Sequence, residues 1–296
     1  MITIKKFAAI DIGSNAMRLL VSNIVEEAGK EPQFNKSALV RVPIRLGQDA
    51  FTVGEISDQN IDRMVDAMQA FRLLMKVHRV EKYKACATSA MREAYNGKDV
   101  VDIIYQKSGI EIDIIDGKTE AAIIASTDFS DLLSTESNYL YVDVGGGSTE
   151  FSLFSDGKMI VSKSFKIGTV RLINNMVNEI VWLEIEKWIK IHTESLDNLD
   201  MIGSGGNINK IFKMSGKPQH KPLSFMYLNA QYAALNALTY EQRIAGLGLN
   251  QDRADVIIPA IQVYINAMKW SGAQNIYVPK IGLSDGIIKA IYYEKF

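Results

Sequence analysis

The sequence predicts an α/β protein built from two similar domains, and three observations support that fold class. Apolar runs of strand length alternate with segments whose apolar residues recur at helical spacing. Three glycine-rich turns each follow such a strand. The segments FAAIDIGSNAMRLLV (7–21) and YLYVDVGGGSTEFSL (139–153) align at a constant offset of 132 residues, as an internal duplication would.

The composition is that of a folded protein in water, and it excludes several classes of function. The chain has 296 residues, of which 47% are hydrophobic and 23% charged, enough for two domains of ordinary size. A formal net charge of -1 gives no overall field that attracts nucleic acid. No run of 18 apolar residues predicts a membrane span, and the first apolar stretch, ending at Asp11, is too short for a secretory signal. The single cysteine, Cys86, fits a reducing compartment, so we expect a cytoplasmic protein.

The first predicted element is a hairpin with a polar turn. In the internal alignment Asp11 falls on Asp143 and Gly13 on Gly145, so each domain has an aspartate at the end of its first strand. Two facing domains would present both turns to one ligand in a cleft between them.

A long helix over 57–77 and a buried strand over 83–88 are predicted next. Ser89 is expected to cap a helix that ends near Gly97. Free N–H groups and the helix dipole favour an anion at such a strand-to-helix corner, which makes Ser89 and Arg92 candidate ligands of a phosphate.

The segment IEIDIIDGKTEAAIIAST predicts a strand over 110–115, a turn at Asp116 and Gly117, and a helix from about Thr119. Glu120 therefore lies in the first turn of that helix. A carboxylate there is a favourable partner of the helix dipole, and it could also orient or deprotonate a water molecule.

The second half begins with the hairpin YVDVGGGSTEF. Its consecutive glycines point successive N–H groups into one concavity, which suits phosphate. A third turn, GSGGN, follows a short strand and opens a helix. The remaining segments predict a long helix over 250–270, a strand at 275–279 and a final helix after GLSDG.

The motifs DIGSNAMRLLV, ATSAMREAYN, DGKTEAA, DVGGGSTE, IGTVRL, GSGGN and RADVI occur in one order. Together they resemble the exopolyphosphatase and guanosine pentaphosphate phosphohydrolase (Ppx/GppA) family, within the superfamily of actin, sugar kinases and heat-shock ATPases. The resemblance covers nearly the whole chain. It implies two ribonuclease-H-like domains flanking an interdomain cleft, here 1–124 and 125–282, with a helix over 283–296 packing back on the first.

The resemblance also implies hydrolysis of a terminal phosphoanhydride with Mg²⁺. Glu120 matches the glutamate of the family's GxxEA segment, which activates the water. Asp143 and Asp11 are the expected magnesium ligands, and a monovalent cation is left open. Candidate substrate-binding residues from these motifs and turns are Ser14, Asn15, Arg18, Ser89, Arg92, Gly145, Gly146, Gly147, Ser148, Glu150, Gly205 and Gly206.

Two features depart from the family pattern. The chain ends at Phe296, which resembles the short members without C-terminal helical domains, so we expect little processivity on long polyphosphate. Ser284 stands where the family often has an arginine, which removes one cationic contact to a guanosine polyphosphate.

These observations favour an exopolyphosphatase that acts on inorganic polyphosphate. A guanosine pentaphosphate 5'-phosphohydrolase is the alternative enzyme, and a sensor that binds polyphosphate or an alarmone without turnover is the alternative of another class. A sugar kinase would need an acceptor-activating aspartate, and the sequence shows no convincing one. The expected partners are inorganic polyphosphate or a guanosine polyphosphate, not nucleic acid or a membrane, and a homodimer is left open.

Overall fold

The protein is described by a computed structural model over residues 1–125, 127 and 137–295. The chain divides into two compact units. The first comprises Met1–Thr127 and Ile281–Phe296, and the second comprises Asp128–Lys280.

The first unit contains one five-stranded sheet of order β3-β2-β1-β4-β5. The hairpin strands β1, β2 and β3 are antiparallel, whereas β1, β4 and β5 run parallel. The elements up to residue 125 are β1 (Ile2–Ile12), β2 (Met17–Glu27), β3 (Gln33–Val42), α1 (Leu46–Thr52), α2 (Asp58–His78), β4 (Lys82–Ala87), α3 (Ser89–Glu93), α4 (Gly97–Ser108), β5 (Ile112–Ile114) and α5 (Gly117–Ala125).

The second unit contains a six-stranded sheet of order β10-β11-β9-β6-β7-β8. Its core joins the inner face of this sheet to the helices that cover it. The elements are β6 (Asn138–Val144), β7 (Thr149–Ser155), β8 (Lys158–Phe165), α6 (Thr169–Ile173), α7 (Glu179–Thr193), β9 (Leu199–Ser204), α8 (Gly206–Met214), β10 (Leu223–Ser224), α9 (Phe225–Asn236), α10 (Tyr240–Leu247), α11 (Gln251–Ala254), α12 (Ile257–Ser271) and β11 (Asn275–Tyr277).

The two sheets confirm the predicted duplication and the α/β fold class. Read from the β8 edge, the second sheet repeats the first, with β6, β7, β8, β9 and β11 in the places of β1 to β5. The first strands end at Ile12 and Val144, and the second strands begin at Met17 and Thr149. Both pairs keep the offset of 132 residues found in the sequence.

The final helix, α13 (Leu283–Tyr292), belongs to the first unit, where it contacts α5 and β1. It ends before residue 296, the predicted limit, which lies outside the described residues. The backbones of α13 and α5 meet at a glycine, since a Cβ on Gly286 would lie 2.5 Å from the carbonyl oxygen of Ile123.

The prediction for the helix after β4 was wrong at both ends. Thr88, not Ser89, is the N-cap, and α3 stops after five residues. Ala94 is extended there (φ -70°, ψ 132°), which breaks the helix. Gly97 begins α4 and packs against α3. A Cβ at this position would lie 2.1 Å from the carbonyl oxygen of Met91, which explains why the residue is a glycine.

The predicted helix over 250–270 is also divided, into α11 and α12. Pro259 lies in the first turn of α12. A proline there is tolerated, but its ring would clash with the carbonyl four residues earlier if the helix continued backwards. The third glycine turn likewise starts later than predicted, because β9 continues to Ser204.

Cys86 is completely buried in β4, and burial raises the pKa of its thiol to about 12. Cys86 is therefore a core residue of the first unit. None of the helices in the described part of the chain is long and apolar enough to cross a membrane.

We predict that Gly286→Ala lowers the free energy of unfolding by about 1–3 kcal/mol, because the added methyl group forces α13 away from α5. The matched control is Gly246→Ala in α10, where a Cβ would meet no atom within 4 Å. Removing that helix glycine should instead raise stability by about 0.5–1 kcal/mol. Urea unfolding measures both changes, and equal effects would contradict the close packing of α13.

Candidate active site

The turn between β1 and β2 holds an ion pair. Asp11 and Arg18 are directly opposite in the antiparallel ladder, and an Nη1 of Arg18 donates to Oδ2 of Asp11 over 2.6 Å. Asp11 is buried, while the Arg18 side chain is one third exposed. The carboxylate predicted to bind magnesium is therefore already neutralised by a residue predicted to bind substrate.

Two predicted substrate-binding residues lie in contact. The hydroxyl oxygens of Ser14 and Ser89 are 2.9 Å apart, and both side chains are buried. The backbone N–H of Thr88 donates to the carbonyl of Ile12, which joins the start of α3 to the end of β1. The structure thus brings the first turn and the strand-to-helix corner together through a pair of buried hydroxyls.

The carbonyl groups of this turn are bonded to the chain that follows β3. The N–H of Gly47 donates to the carbonyl of Ser14 over 2.7 Å, and the N–H of Arg45 donates to that of Asn15 over 3.0 Å. The backbone of the turn is therefore fixed from the side of its carbonyl groups.

Glu120 lies in the first turn of α5 and is buried, as predicted for its position in the helix. The helix start is set by Asp116, whose Oδ1 accepts the N–H of Thr119 over 2.7 Å. That bond, and more weakly the nearby charge of Arg92, lowers the pKa of Asp116. Arg92 also donates to the carbonyl of Ile115 over 2.6 Å, so it lies at the base of the helix that carries Glu120.

In the second unit the glycine turn between β6 and β7 is held through three successive carbonyl groups. The N–H groups of Thr169 and Val170, at the start of α6, donate to the carbonyls of Gly145 and Gly146 over 3.0 and 2.9 Å. Nε of Arg171, which is buried, donates to the carbonyl of Gly147 over 2.7 Å.

The N–H groups of Gly146 and Gly147 differ from the carbonyl groups of the same turn. Within the described residues, no acceptor is bonded to the N–H of Gly146 or Gly147. With the carbonyls taken, these N–H groups can bind an anion.

The glycines of this turn allow other backbone groups to pack close to it, and they are not needed for a left-handed conformation. None of Gly145, Gly146 and Gly147 has a positive φ. A Cβ on Gly145 would lie 2.9 Å from the carbonyl oxygen of Ser148. A Cβ on Gly168, at the start of α6, would lie 2.3 Å from the carbonyl oxygen of Gly146, so α6 can reach the turn only through a glycine.

Glu150 is a buried carboxylate beside this turn. Its Oε1 accepts hydrogen bonds from the hydroxyls of Ser148 and Ser164 over 2.7 and 2.8 Å. Glu150 is directly opposite Asp143 in the β6–β7 ladder, so the two carboxylates are neighbours on one face of the sheet.

Asp143 is oriented by the third glycine turn. The hydroxyl of Ser204 donates to Oδ2 of Asp143 over 3.2 Å, and the hydroxyl of Tyr264 donates to the carbonyl of Ser204. Burial, and then the negative charge of Asp143, raises the pKa of Tyr264 well above its ordinary value, which keeps it a neutral donor. Gly205 has φ 109°, a conformation that favours glycine, and a Cβ there would lie 3.3 Å from Oδ1 of Asp143.

The carboxylates differ in their fit to a metal ion. No group of three or more His, Cys, Asp or Glu side chains in the described ranges could hold a metal by itself. Mg²⁺ commonly takes only one or two carboxylates, with water and phosphate as its other ligands. Asp143 with Glu150 fits that donor set, whereas Asp11 is neutralised by Arg18.

Sequence reasoning missed several residues that build the site. Arg171 and Gly168 lie in the IGTVRL segment, which was used to identify the family but was given no role. Ser204 lies in the GSGGN motif, where it was also given no role, and Tyr264 lies outside every motif. All of them act on backbone or side-chain groups distant in the sequence, which single-segment patterns do not predict.

The model of the Ppx/GppA phosphatase family matches residues 26–199. The chain belongs to this family. The match includes the helix of Glu120 and the turn of Asp143, and it confirms the resemblance found in the motifs.

Relatives of this chain carry phosphatase names. A bifunctional 3-dehydroquinate synthase/phosphatase of Fusobacterium nucleatum is 29% identical over 67% of this chain and 32% of its own length. Exopolyphosphatase 2 of Mycobacterium tuberculosis is 31% identical over 56% of this chain and 53% of its own length. The chain therefore spans about half or less of these two relatives. A putative exopolyphosphatase of Haemophilus influenzae is 20% identical over 97% of this chain and 92% of its own length.

Solved structures share the fold. An exopolyphosphatase from Cytophaga hutchinsonii superposes with a TM-score of 0.83 at 23% identity, covering 98% of both chains. The Ppx/GppA family member of Aquifex aeolicus superposes with a TM-score of 0.77 at 22% identity, covering 99% of both. The two-domain architecture is thus that of this family.

We predict that Arg171→Met lowers the free energy of unfolding by about 1–3 kcal/mol, because the buried carbonyl of Gly147 loses its donor. The hydrogen exchange of the Thr169 and Val170 amides, which donate to the carbonyls of Gly145 and Gly146, should accelerate as the turn loosens. The control is Lys187→Met on α7, an exposed cation whose removal should change stability by less than about 0.5 kcal/mol. If both variants unfold at the same urea concentration, Arg171 does not hold the turn.

Proposed function

We propose that this chain is a phosphoanhydride hydrolase that releases terminal orthophosphate from inorganic polyphosphate. The proposal rests on membership of the Ppx/GppA phosphatase family and on relatives that are named exopolyphosphatase.

One observation carries the proposal. The 145–148 turn has its three glycine carbonyls bonded within its own unit, while the N–H groups of Gly146 and Gly147 have no acceptor among the described residues. A phosphoryl group offers negative oxygens and no donors when ionised, so it is the ligand this turn suits best.

The proposed reaction is an in-line attack of water on the terminal phosphorus. Glu120 orients the water and accepts its proton. The N–H groups of the 145–148 turn bind the phosphoryl oxygens, with Ser148 beside them. Arg18 and Arg92 offset the negative charge that develops on the leaving phosphate.

Asp143 and Glu150 are the proposed ligands of a magnesium ion, and Ser204 orients the first of them. A bound magnesium ion would neutralise charge on the phosphate oxygens. Asp11 is assigned a different task here, because its ion pair with Arg18 fixes that guanidinium for substrate.

We predict that Glu120→Gln lowers kcat by about 10²- to 10⁴-fold, since the amide keeps the shape of the side chain but cannot accept a proton. The affinity for polyphosphate should stay within about threefold of the wild type, because no phosphate contact is removed. The control is Glu111→Gln, an exposed glutamate of the same unit. A folded Glu120→Gln protein with normal kcat would assign the general base elsewhere.

The alternatives differ in which substrates release phosphate. We expect magnesium-dependent release from inorganic polyphosphate, and slower release from guanosine pentaphosphate because Ser284 supplies no cation where the family often has one. Faster release from guanosine pentaphosphate would reverse the substrate assignment. No release from either, with binding retained, would identify a sensor.

A further inference from the structure

Helix α7 is apolar around most of its circumference. Ile185 and Ile189 pack into the core of the second unit and form its inner face. The outer face carries Ile180, Leu183 and Ile191, which are 63%, 62% and 61% exposed. A helix with a single packing partner ordinarily has polar side chains on its outer face, whereas one that is apolar all round is ordinarily buried. The composition of α7 is therefore that of a helix with a second packing partner.

The exposed side chains of Ile180, Leu183 and Ile191 form one line, the α7 stripe. The helical repeat places them within about 80° of each other around the axis and within about 17 Å along it. Among the described helices, α7 alone exposes three large apolar side chains. Single apolar residues at a surface are common, but a continuous apolar patch marks a place of interaction.

Two opposite charges lie beside the α7 stripe. Glu184 and Lys187 are both exposed, and Glu184 is the nearer of the two to the start of the helix. Neither has an ionic partner among the described residues, whereas the neighbouring Lys190 is paired with Glu186. A surface with the same two charges in the reverse order would match both. The outer face of α7 is therefore complementary in charge to a copy of itself that runs in the opposite direction.

One antiparallel register satisfies the apolar and the charged residues together. Two copies of α7 can be placed with Ile180 of each opposite Ile191 of the other. In that register Glu184 of each copy lies opposite Lys187 of the other, and Leu183 falls between Lys187 and Ile191 of the second copy. A parallel pair about a two-fold axis would instead bring Glu184 against Glu184 and Lys187 against Lys187. The charges therefore select the antiparallel arrangement.

We propose that the α7 stripe is the interface of a two-fold symmetric homodimer, in which α7 of one copy packs antiparallel against α7 of the other. Because both copies use the same patch, the contact closes at two copies and does not propagate. A single pair of helices is at the small end of specific interfaces, so we expect dissociation at roughly micromolar concentrations. The interface belongs to the second unit and does not depend on the proposed hydrolysis.

The first test removes the apolar contact. Leu183→Lys places a cation in the stripe, where it would face Lys187 of the second copy, and should weaken dimerisation by at least about tenfold. The matched control is Leu73→Lys on α2, which replaces a leucine of nearly the same exposure, 64%, and should leave the dimer unchanged. Sedimentation velocity at concentrations from about 1 to about 200 μM measures the dissociation constants. Circular dichroism checks that each variant is folded.

The second test reverses the charges beside the stripe. Glu184→Lys and Lys187→Glu should each weaken dimerisation by about tenfold, because like charges then face each other across the interface. The double variant Glu184→Lys/Lys187→Glu restores opposite charges and should return to within about threefold of the wild type. In a parallel dimer the single reversals would keep like charges opposite each other and would change nothing.

The outcomes separate the proposal from its rivals. Dimerisation that is lost in Leu183→Lys, kept in Leu73→Lys and restored by the double charge reversal supports it. A wild type that stays monomeric across this concentration range overturns the proposal and leaves the stripe to another protein or to a segment outside this chain. A dimer that Leu183→Lys does not weaken uses another surface and also overturns it. Single reversals without effect, or a double variant without recovery, overturn the antiparallel register.

Discussion

Both polar turns of this protein are held by their carbonyl groups, and the rest of the site depends on that constraint. In each unit the chain that follows the third strand returns to the turn and donates hydrogen bonds to two or three of its carbonyls. A peptide group whose carbonyl is fixed has its N–H fixed as well, pointing the other way. The N–H groups of Gly146 and Gly147 are therefore positioned by residues that bond to the carbonyl side of the turn.

The two hairpins share this backbone geometry but carry side chains of opposite charge at one equivalent position. Arg18 and Glu150 occupy equivalent positions, each opposite an aspartate in its hairpin. In the first unit the pair is neutral overall and presents a guanidinium, and in the second it presents two neighbouring carboxylates. The equivalent position in the two hairpins thus carries a cation in the first unit and a carboxylate in the second.

The sequence was sufficient for the elements whose signals are local and repeated. The alternation in both hairpins and the offset between them predicted the sheets, and the position of Glu120 followed from a turn and helix signal within ten residues. The end of α3 was not predictable in this way. Gly97 was predicted as the end of this helix, but a glycine is required there by its contact with Met91 and it begins the next helix, α4. The left-handed backbone of Arg45 (φ 64°) was not predictable for a similar reason. It is held by contacts with Asn15 and Arg63, which lie 30 and 18 positions away along the chain. Patterns within one segment report propensity, whereas these residues are determined by contacts between segments.

The return of α13 to the first unit also sets an order of events during synthesis. Strands β1 and β4 and helix α5 all leave the ribosome long before residue 283, yet the helix that covers them is made after the whole second unit. The second unit is continuous in sequence and can complete its core earlier. The first unit is thus completed only after the whole second unit has been made, and until then its apolar face between β1 and α5 stays open to a nascent-chain chaperone.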